Sequence, residues 1–310
     1  MEVGLTHLID GGTAAHLEES RTFNAAVQAA AGDRPQPDLA TPEGLHEARS
    51  MLTPRPPDPR AVDRIAHAGG RRVPVRVITP RQGHVRAVYL DIHGGGFYLG
   101  SAARSDSRNA VLADALGMAV VSIDYRLAPE HPWPAAPDDC ETAALWLLEH
   151  AETVFETPRL MIGGASAGAN LAMTTLLRLR DSGQVQSFAG AVLQFGAYDL
   201  SGRSPSGQIY AGEWFIKAYA GHVVDRTNPD VSPLYGDLRG LPPTLLIVGT
   251  LDILLEDSLV MAARLSAAGN EVDLRVFPES PHGFTSSPTA MATAALNGVE
   301  SWLASRLDER

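Results

Sequence analysis

Short apolar runs alternate along the chain with longer stretches in which apolar residues recur at helical spacing. The apolar runs, which predict buried strands, lie at 87–92, 119–123, 160–163, 189–195 and 244–249, and the last strand is predicted at 271–277. The stretches with helical spacing lie at 105–116, 136–150, 257–268 and 290–306. Strands that alternate with helices in this way favour a mostly parallel sheet with helices on both faces.

One further stretch, 73–78, alternates apolar and polar residues as a half-buried strand does. It contains Pro74, which has no backbone N–H to donate to a neighbouring strand. We therefore expect this strand at an edge of the sheet.

Two segments lack a strand pattern and are predicted to form a helical cap. The first, 1–55, has helical spacing at 13–31 and a second helix start where Thr41 precedes Pro42, a typical cap residue before a first-turn proline. The second, 201–233, is rich in Gly, Pro and Ser, with a helical piece around 213–219. The remaining parts, 56–200 and 234–310, are predicted to form the core.

Composition excludes several classes of function for this chain. Its 310 residues carry a formal net charge of −11, which argues against nucleic acid or an anionic membrane surface as a partner. No apolar stretch is long enough to span a membrane, and the N-terminus shows no signal-peptide pattern, so we expect a cytoplasmic protein. The single cysteine, Cys140, rules out an intrachain disulfide.

A serine between glycines follows the predicted strand at 160–163. In the run Gly164-Ala165-Ser166-Ala167-Gly168 the serine stands between that strand and the next helical pattern. Such a strand–turn–helix predicts a nucleophile elbow, with Ser166 exposed above the sheet and the backbone N–H of Ala167 at a helix N-terminus. The pattern also occurs in ordinary turns, so its meaning depends on what surrounds it.

A glycine run follows the buried strand at 87–92. It reads His93-Gly94-Gly95-Gly96-Phe97. Three glycines in a row are also compatible with a plain flexible loop. After a buried strand, however, they allow successive backbone N–H groups to face one point, which is how an oxyanion hole is built.

An acid and a histidine follow two later strands. Asp252 comes just after 244–249 and His282 just after 271–277. Ligands of parallel sheets bind at the carboxyl ends of strands, where Ser166 also lies. The order serine, acid, histidine is that of α/β-hydrolases, in which the histidine takes the proton of the serine and the carboxylate orients the histidine.

Both residues also have an ordinary structural interpretation: His282 as a histidine of a surface loop, and Asp252 as an aspartate at a helix N-terminus. Glu256 and Asp257 are rival acids, but they lie farther from the strand end.

These motifs together resemble the hormone-sensitive-lipase family of α/β-hydrolases, in particular its bacterial carboxylesterases. The resemblance runs from about residue 60 to the C-terminus; its matching runs are His93 to Phe97, Asp124 to Pro132, Gly163 to Asn170, and Pro281 to Phe284. It implies an α/β-hydrolase fold with an eight-stranded sheet and a cap. It also implies a serine esterase that hydrolyses short-acyl carboxylic esters without metal or cofactor.

The resemblance also implies the roles of single residues. Ser166, Asp252 and His282 would form the catalytic triad. Gly94, Gly95 and Ala167 would donate to the oxyanion, while His93 and Gly96 would support the glycine loop. The family often has an acidic residue where this chain has Ala165 and a glycine where it has Ala169, which leaves the subfamily open.

Several points stay open at this stage. The substrate could be an N-acetyl amide or a lactone, and a non-catalytic small-molecule receptor on the same fold is disfavoured because His282 is present. An interfacial lipase is disfavoured because 201–233 is polar. Phe97, Trp214, Phe215 and Tyr219 are candidates for lining the substrate pocket, although the last three equally fit an anchor for the cap. The resemblance allows a homodimer formed through an edge of the sheet.

Overall fold

A single eight-stranded sheet forms the centre of the protein. The computed structural model describes residues 9, 11–32, 37–52, 56–210 and 212–308. The strands are β1 (Val62–Ala68), β2 (Arg71–Ile78), β3 (Ala87–Ile92), β4 (Met118–Ile123), β5 (Leu160–Ala165), β6 (Phe188–Gln194), β7 (Thr244–Gly249) and β8 (Val272–Phe277). Their order across the sheet is β1-β2-β4-β3-β5-β6-β7-β8.

The sheet is mostly parallel, as the alternation of strands and helices predicts. Strands β3 to β8 run parallel to one another, while β2 is antiparallel to both β1 and β4. The carboxyl ends of the parallel strands therefore meet at one edge, where the loops with candidate chemistry begin.

The predicted edge position of the strand at 73–78 is wrong. Strand β2 lies between β1 and β4, and β1 is the outermost strand. Pro74 is tolerated because its carbonyl faces β4, where it accepts the N–H of Asp124 at 3.0 Å, just before the β2–β4 ladder starts at Val75. The missing N–H faces the same side, so no bond to β1 is lost. Strand β1 escapes sequence prediction because Ala66 is its only buried residue.

Helices cover both faces of the sheet, and each face has its own apolar core. One core contains residues of α4 (Ala135–Phe155), α5 (Ala167–Asp181) and α8 (Leu255–Ala267). The other contains residues of α3 (Asp106–Leu116) and α9 (Ala290–Asp308). The apolar strands between these layers are buried on both sides, which explains why β3, β4 and β7 have no exposed residue.

Two predicted helices differ in extent from the structure. The helix predicted at 136–150 continues to Phe155 and stops at Glu156, which has a left-handed conformation with φ 59°. In the stretch predicted as helical at 13–31, a 3₁₀ helix covers Gly11–His16 and α1 covers Leu17–Ala31.

The N-terminal helices lie against loops that follow the strands. Helix α1 is joined to the loop after β8, where Asn24 donates to the carbonyl of Glu279 at 2.8 Å. Thr41 is the N-cap of helix α2 (Pro42–Ser50): its hydroxyl accepts the N–H of Gly44, so the predicted N-cap is confirmed. Arg49 of α2 donates to the carbonyls of Tyr98 and Ala128, which ties this helix to the glycine loop.

The segment 201–233 contributes two short helices, α6 (Pro205–Tyr210) and α7 (Trp214–Ala220). Residues 1–8, 10, 33–36 and 53–55 of the predicted N-terminal cap segment, and residue 211 of the insertion, fall outside the described residues. The division of the chain into cap and core remains a prediction. Within the described ranges, no helix combines the length and apolar character that crossing a bilayer requires.

Candidate active site

Ser166 lies at a sharp turn between β5 and α5. Its backbone has φ 55° and ψ −120°, a conformation that L-residues rarely adopt. The turn is held because the N–H of Ser166 donates to the carbonyl of Gln194 at 2.9 Å, at the end of the neighbouring strand. The strained turn directs the side chain away from the sheet, as a nucleophile elbow does.

The elbow depends on two glycines that leave room for its close backbone contacts. A Cβ at Gly164 would lie 2.4 Å from the carbonyl of Gly168. A Cβ at Gly168 would lie 2.0 Å from the carbonyl oxygen of Ile92, on the strand that carries the glycine loop. Both distances are far below van der Waals contact, so only glycine fits at either position.

His282 joins Ser166 to Asp252. The Nε2 atom of His282 lies 2.9 Å from Ser166 Oγ, and its Nδ1 atom lies 3.0 Å from each carboxylate oxygen of Asp252. The Asp252 side chain is fully buried, whereas 38% of the His282 side chain is exposed. With Nδ1–H donating to the carboxylate, Nε2 is left free to accept the serine proton.

The rival acids have other positions. Glu256 is exposed to solvent. Asp257 is buried and turned toward the cap, where it accepts the hydroxyl protons of Ser206 at 2.6 Å and Tyr210 at 2.5 Å. Asp252 is therefore the acid that the fold brings to His282.

The glycine loop lies directly against the nucleophile. A Cβ at Gly94 would approach Ser166 Cβ to 3.4 Å and the carbonyl oxygen of Ala165 to 2.6 Å. Gly95 has φ 124°, and a Cβ there would collide with the carbonyl of Leu99. Ala167 is the first residue of α5, so its N–H belongs to the helical turn whose amides have no intrahelical acceptor. Three predicted oxyanion donors thus surround the serine.

His93 holds the base of the loop. It is buried, its Nδ1 lies 2.8 Å from the carbonyl oxygen of Gly94, and its ring stacks on that of Tyr125 at 4.2 Å between centroids. The Tyr125 hydroxyl in turn donates to the His93 carbonyl at 3.0 Å. Burial lowers the pKa of the His93 imidazole, which favours the neutral form. Gly96, with φ 57°, continues the turn beside Phe215.

A cavity of about 850 Å³ opens around Ser166. Among the predicted pocket aromatics, Phe97 and Phe215 line it, whereas Trp214 packs edge-on against Tyr98 and is not part of the lining. Phe97 also stacks on the buried ring of Tyr219 at 3.9 Å, so Tyr219 anchors α7 to the glycine loop.

Sequence reasoning missed the polar wall of this cavity. Arg108, Asn109 and Glu300 line it from α3 and α9, on the side of the sheet away from α4 and α5. The helical patterns at 105–116 and 290–306 contain all three residues, but spacing alone does not show that the two helices border one cavity.

Comparisons with known proteins agree with this fold. A family profile described as the alpha/beta hydrolase fold matches residues 89–286. The chain is 34% identical over 228 residues to the carboxylic ester hydrolase LipN of Mycobacterium tuberculosis, an alignment that covers 68% of this chain but only 61% of that protein. It is 33% identical to the ethyl acetate hydrolase of Pseudomonas putida, over 69% of this chain and 72% of that one.

Solved esterase structures have the same fold. A hyperthermophilic esterase from Pyrobaculum calidifontis superposes with a TM-score of 0.81 at 30% identity, covering 92% of this chain and 97% of that chain. An esterase of the bacterial hormone-sensitive lipase family superposes with a TM-score of 0.76 at 27% identity, covering 94% of this chain and 98% of that chain. The family resemblance seen in the sequence motifs is confirmed.

Proposed function

This chain belongs to the α/β-hydrolase family, among its carboxylic ester hydrolases, and on that premise we propose that it is a serine esterase acting on short-acyl esters through Ser166, His282 and Asp252. One observation carries the proposal. His282 lies within hydrogen-bond distance of Ser166 Oγ on one side and of the buried Asp252 carboxylate on the other. A nucleophile, its base and the group that orients the base therefore stand in line.

The first half of the reaction forms an acyl-enzyme. Ser166 Oγ attacks the ester carbonyl carbon as its proton passes to His282 Nε2, and the Asp252 carboxylate stabilises the resulting imidazolium. The carbonyl oxygen becomes an oxyanion, which we expect the N–H groups of Gly94, Gly95 and Ala167 to stabilise. When this intermediate collapses, the bond to the alcohol oxygen breaks and His282 returns the proton to the leaving alcohol.

The second half releases the acid. Water takes the place of the alcohol, His282 Nε2 accepts one of its protons, and the oxygen attacks the acyl carbon. The same three N–H groups receive the second oxyanion. Its collapse breaks the bond to Ser166 Oγ, which takes the proton back from His282. Removing one such donor typically costs about 2.7–4 kcal/mol of barrier.

The proposed preference for short acyl groups rests on the family and on one relative. The name of the Pseudomonas putida protein gives ethyl acetate as its substrate. A simple alkyl ester fits a site whose walls near the nucleophile are apolar, with Phe97, Phe215 and Leu254 in the lining.

Hydrolysis of p-nitrophenyl esters from acetate to decanoate tests the proposal. We expect turnover of the short esters and a loss of at least about a thousandfold in kcat for Ser166→Ala, because the nucleophile is removed while the fold is kept. The matched control is Ser301→Ala, at an exposed position on α9, which we expect to keep wild-type activity.

Full activity in Ser166→Ala would rule out this mechanism. A wild-type protein that is inactive on every ester would direct the same assay first to N-acetyl amides and then to lactones, the alternatives that use the same groups. Binding of a small molecule without turnover would favour the hypothesis of a non-catalytic receptor.

Assembly and location also remain predictions. The family resemblance allows a homodimer through an edge of the sheet, and β8 is one such edge, where Ile9 forms an isolated bridge with Val276. Light scattering of the purified protein distinguishes monomer from dimer. The predicted cytoplasmic location is checked by fractionating the source cells.

A further inference from the structure

The lining of the cavity around Ser166 includes residues from the side of the sheet that α3 and α9 cover. The lining on this side comes from α3 and α9 and includes Asn109, Leu112, Val299 and Glu300, together with Tyr89 of β3. We call this the α3/α9 lobe. Because the same cavity contains Ser166 and His282, part of a bound ester can occupy this lobe while its carbonyl stays at the nucleophile.

The walls of the α3/α9 lobe combine apolar and polar side chains. Leu112 of α3 and Val299 of α9 are buried in the same core layer, to which Tyr89, 4% exposed, also belongs. These side chains suit a methylene chain. The polar lining includes Arg104, Ser105, Ser107, Arg108, Asn109 and Glu300, and the last two each carry a side-chain oxygen that has no partner among the described residues.

The first of these is the side-chain oxygen of Asn109. Asn109 is 1% exposed, and its Nδ2 donates to both Asp91 Oδ2 and Ser122 Oγ at 2.8 Å. These two bonds fix which end of the amide is the nitrogen. Its Oδ1 is buried and has no hydrogen-bond partner among the described residues. A buried carbonyl-type oxygen left without a donor is costly and is uncommon in folded proteins.

The second is the carboxylate of Glu300. It is partly buried on α9, and no ion pair or hydrogen bond joins it to another described residue. Burial raises the pKa of this carboxyl, and no nearby cation opposes the shift. Two arginines also line the cavity: Arg108 donates to Asp91 at 3.0 Å, which offsets its charge, and Arg104 lies in the turn before α3.

Both orphan groups are hydrogen-bond acceptors. We propose that the α3/α9 lobe is a specificity subsite for esters whose chain ends in a hydrogen-bond donor, a hydroxyl or an ammonium group, received by Glu300 and Asn109. The proposal rests on the esterase function proposed above. It narrows the substrate class to esters with an apolar spacer and a donor-bearing end.

Isosteric pairs of esters test the subsite. Ethyl 6-hydroxyhexanoate and ethyl 6-aminohexanoate are compared with ethyl heptanoate, in which a methyl group replaces the donor. A shorter and a longer homologue of each accompany them. To test the alcohol chain of the ester as well as its acyl chain, 5-hydroxypentyl acetate is likewise compared with hexyl acetate. The rates of acid release are followed by titration and expressed as kcat/KM.

We expect the wild-type enzyme to favour a donor-ended ester over its methyl partner by about tenfold at one chain length, since hydrogen bonds to a charged acceptor are among the stronger ones. Glu300→Leu is expected to bring the ratio within threefold. Glu300→Gln distinguishes the two donors. If the preference for the ammonium ester is lost and the preference for the hydroxyl ester is kept, the charge of the carboxylate is the source of the ammonium preference. The matched control is Glu152→Leu, at an exposed position on α4.

Ratios within threefold for every pair in the wild-type enzyme would overturn the subsite, and so would a donor preference that survives Glu300→Leu. Neither result touches the esterase proposal, which is judged by hydrolysis of the methyl-ended esters themselves. Thermal unfolding of each variant, measured alongside, separates a lost contact from a lost fold.

Discussion

His93 lies at the base of the glycine loop, and we expect it to take no part in proton transfer. Its ring is enclosed between Tyr125 and Gly100, where a Cβ would lie 2.6 Å from His93 Nδ1. Burial lowers the pKa of this imidazole, so the folded protein keeps it neutral at pH values where an exposed histidine is charged. The contact with the Gly94 carbonyl then needs only the neutral ring, with its proton on Nδ1.

This environment makes the stability of the protein depend on pH. The unfolded chain takes up a proton on His93 near pH 6.5, whereas the folded chain resists it, so lowering the pH through 6.5 favours unfolding. We expect the free energy of unfolding to fall by up to about 1.6 kcal/mol more between pH 6.5 and 5 in the wild type than in His93→Asn. Urea unfolding at the two pH values measures the difference. Parallel pH profiles of the two proteins would contradict the assignment.

The three residues of the proposed triad were predictable because each lies just past the end of a predicted strand. The end of such a strand can be recognised in the sequence, and parallel strands bring their ends together. The partners of Asp257 were not predictable in the same way. They come from 198–210, where no periodic pattern fixes how the chain folds back onto α8.

At the scale of elements, Asp257 joins three parts of the fold. It stands on α8 and accepts the backbone N–H groups of Tyr198 and Asp199 after β6 at 2.7 and 3.1 Å. It also accepts the hydroxyls of Ser206 and Tyr210 on α6. Since Tyr210 lines the cavity, this carboxylate sets the position of a cap helix relative to the nucleophile.

Two substitutions of Asp257 test how much its carboxylate contributes to stability: alanine removes the acceptor oxygens, and asparagine keeps the shape without the charge. Asp257→Ala leaves four donors without an acceptor, and we expect it to lower the free energy of unfolding by about 3 kcal/mol or more and to raise KM. Asp257→Asn keeps an oxygen at the Oδ2 position, where three of the donors meet, and places an amide group toward Ser206. We therefore expect it to lose less stability than Asp257→Ala. The exposed neighbour Glu256→Ala is the control in denaturant unfolding. Equal unfolding midpoints for Asp257→Ala and Glu256→Ala would show that the carboxylate does not hold the cap.

Elements that lack an apolar face were the hardest to predict. Strand β1 has one buried residue and pairs only with β2, so neither a run nor an alternation marks it in the sequence. Its absence from the prediction led directly to the wrong edge position of β2. Conversely, β3, β4 and β7 are buried throughout, and their apolar runs predicted the bounds of these strands to within a residue.

At the scale of the whole molecule, charged residues far apart in the chain join the cap insertion to the helices. Arg178 on α5 binds Asp230 of the insertion at 2.6 Å, and it binds Asp138 and Glu141 of α4 at 2.9 and 3.1 Å. The side chain of Trp133 donates to the same Asp230 at 2.9 Å. Nothing in the sequence predicts this cluster, because it depends on where 201–233 returns to the body.

The Arg178 cluster should contribute far more to stability than an exposed ion pair of similar length. Arg178 is only 19% exposed, and its removal leaves three carboxylates facing one another with Arg71 as the remaining cation near two of them. We expect Arg178→Met to lower the free energy of unfolding by about 3 kcal/mol. The control is Arg239→Met, whose pair with Asp237 is 78% and 49% exposed and is expected to contribute nothing measurable. Urea unfolding of both variants compares them directly; a wild-type midpoint for Arg178→Met would mean that apolar packing alone holds the insertion against α4 and α5.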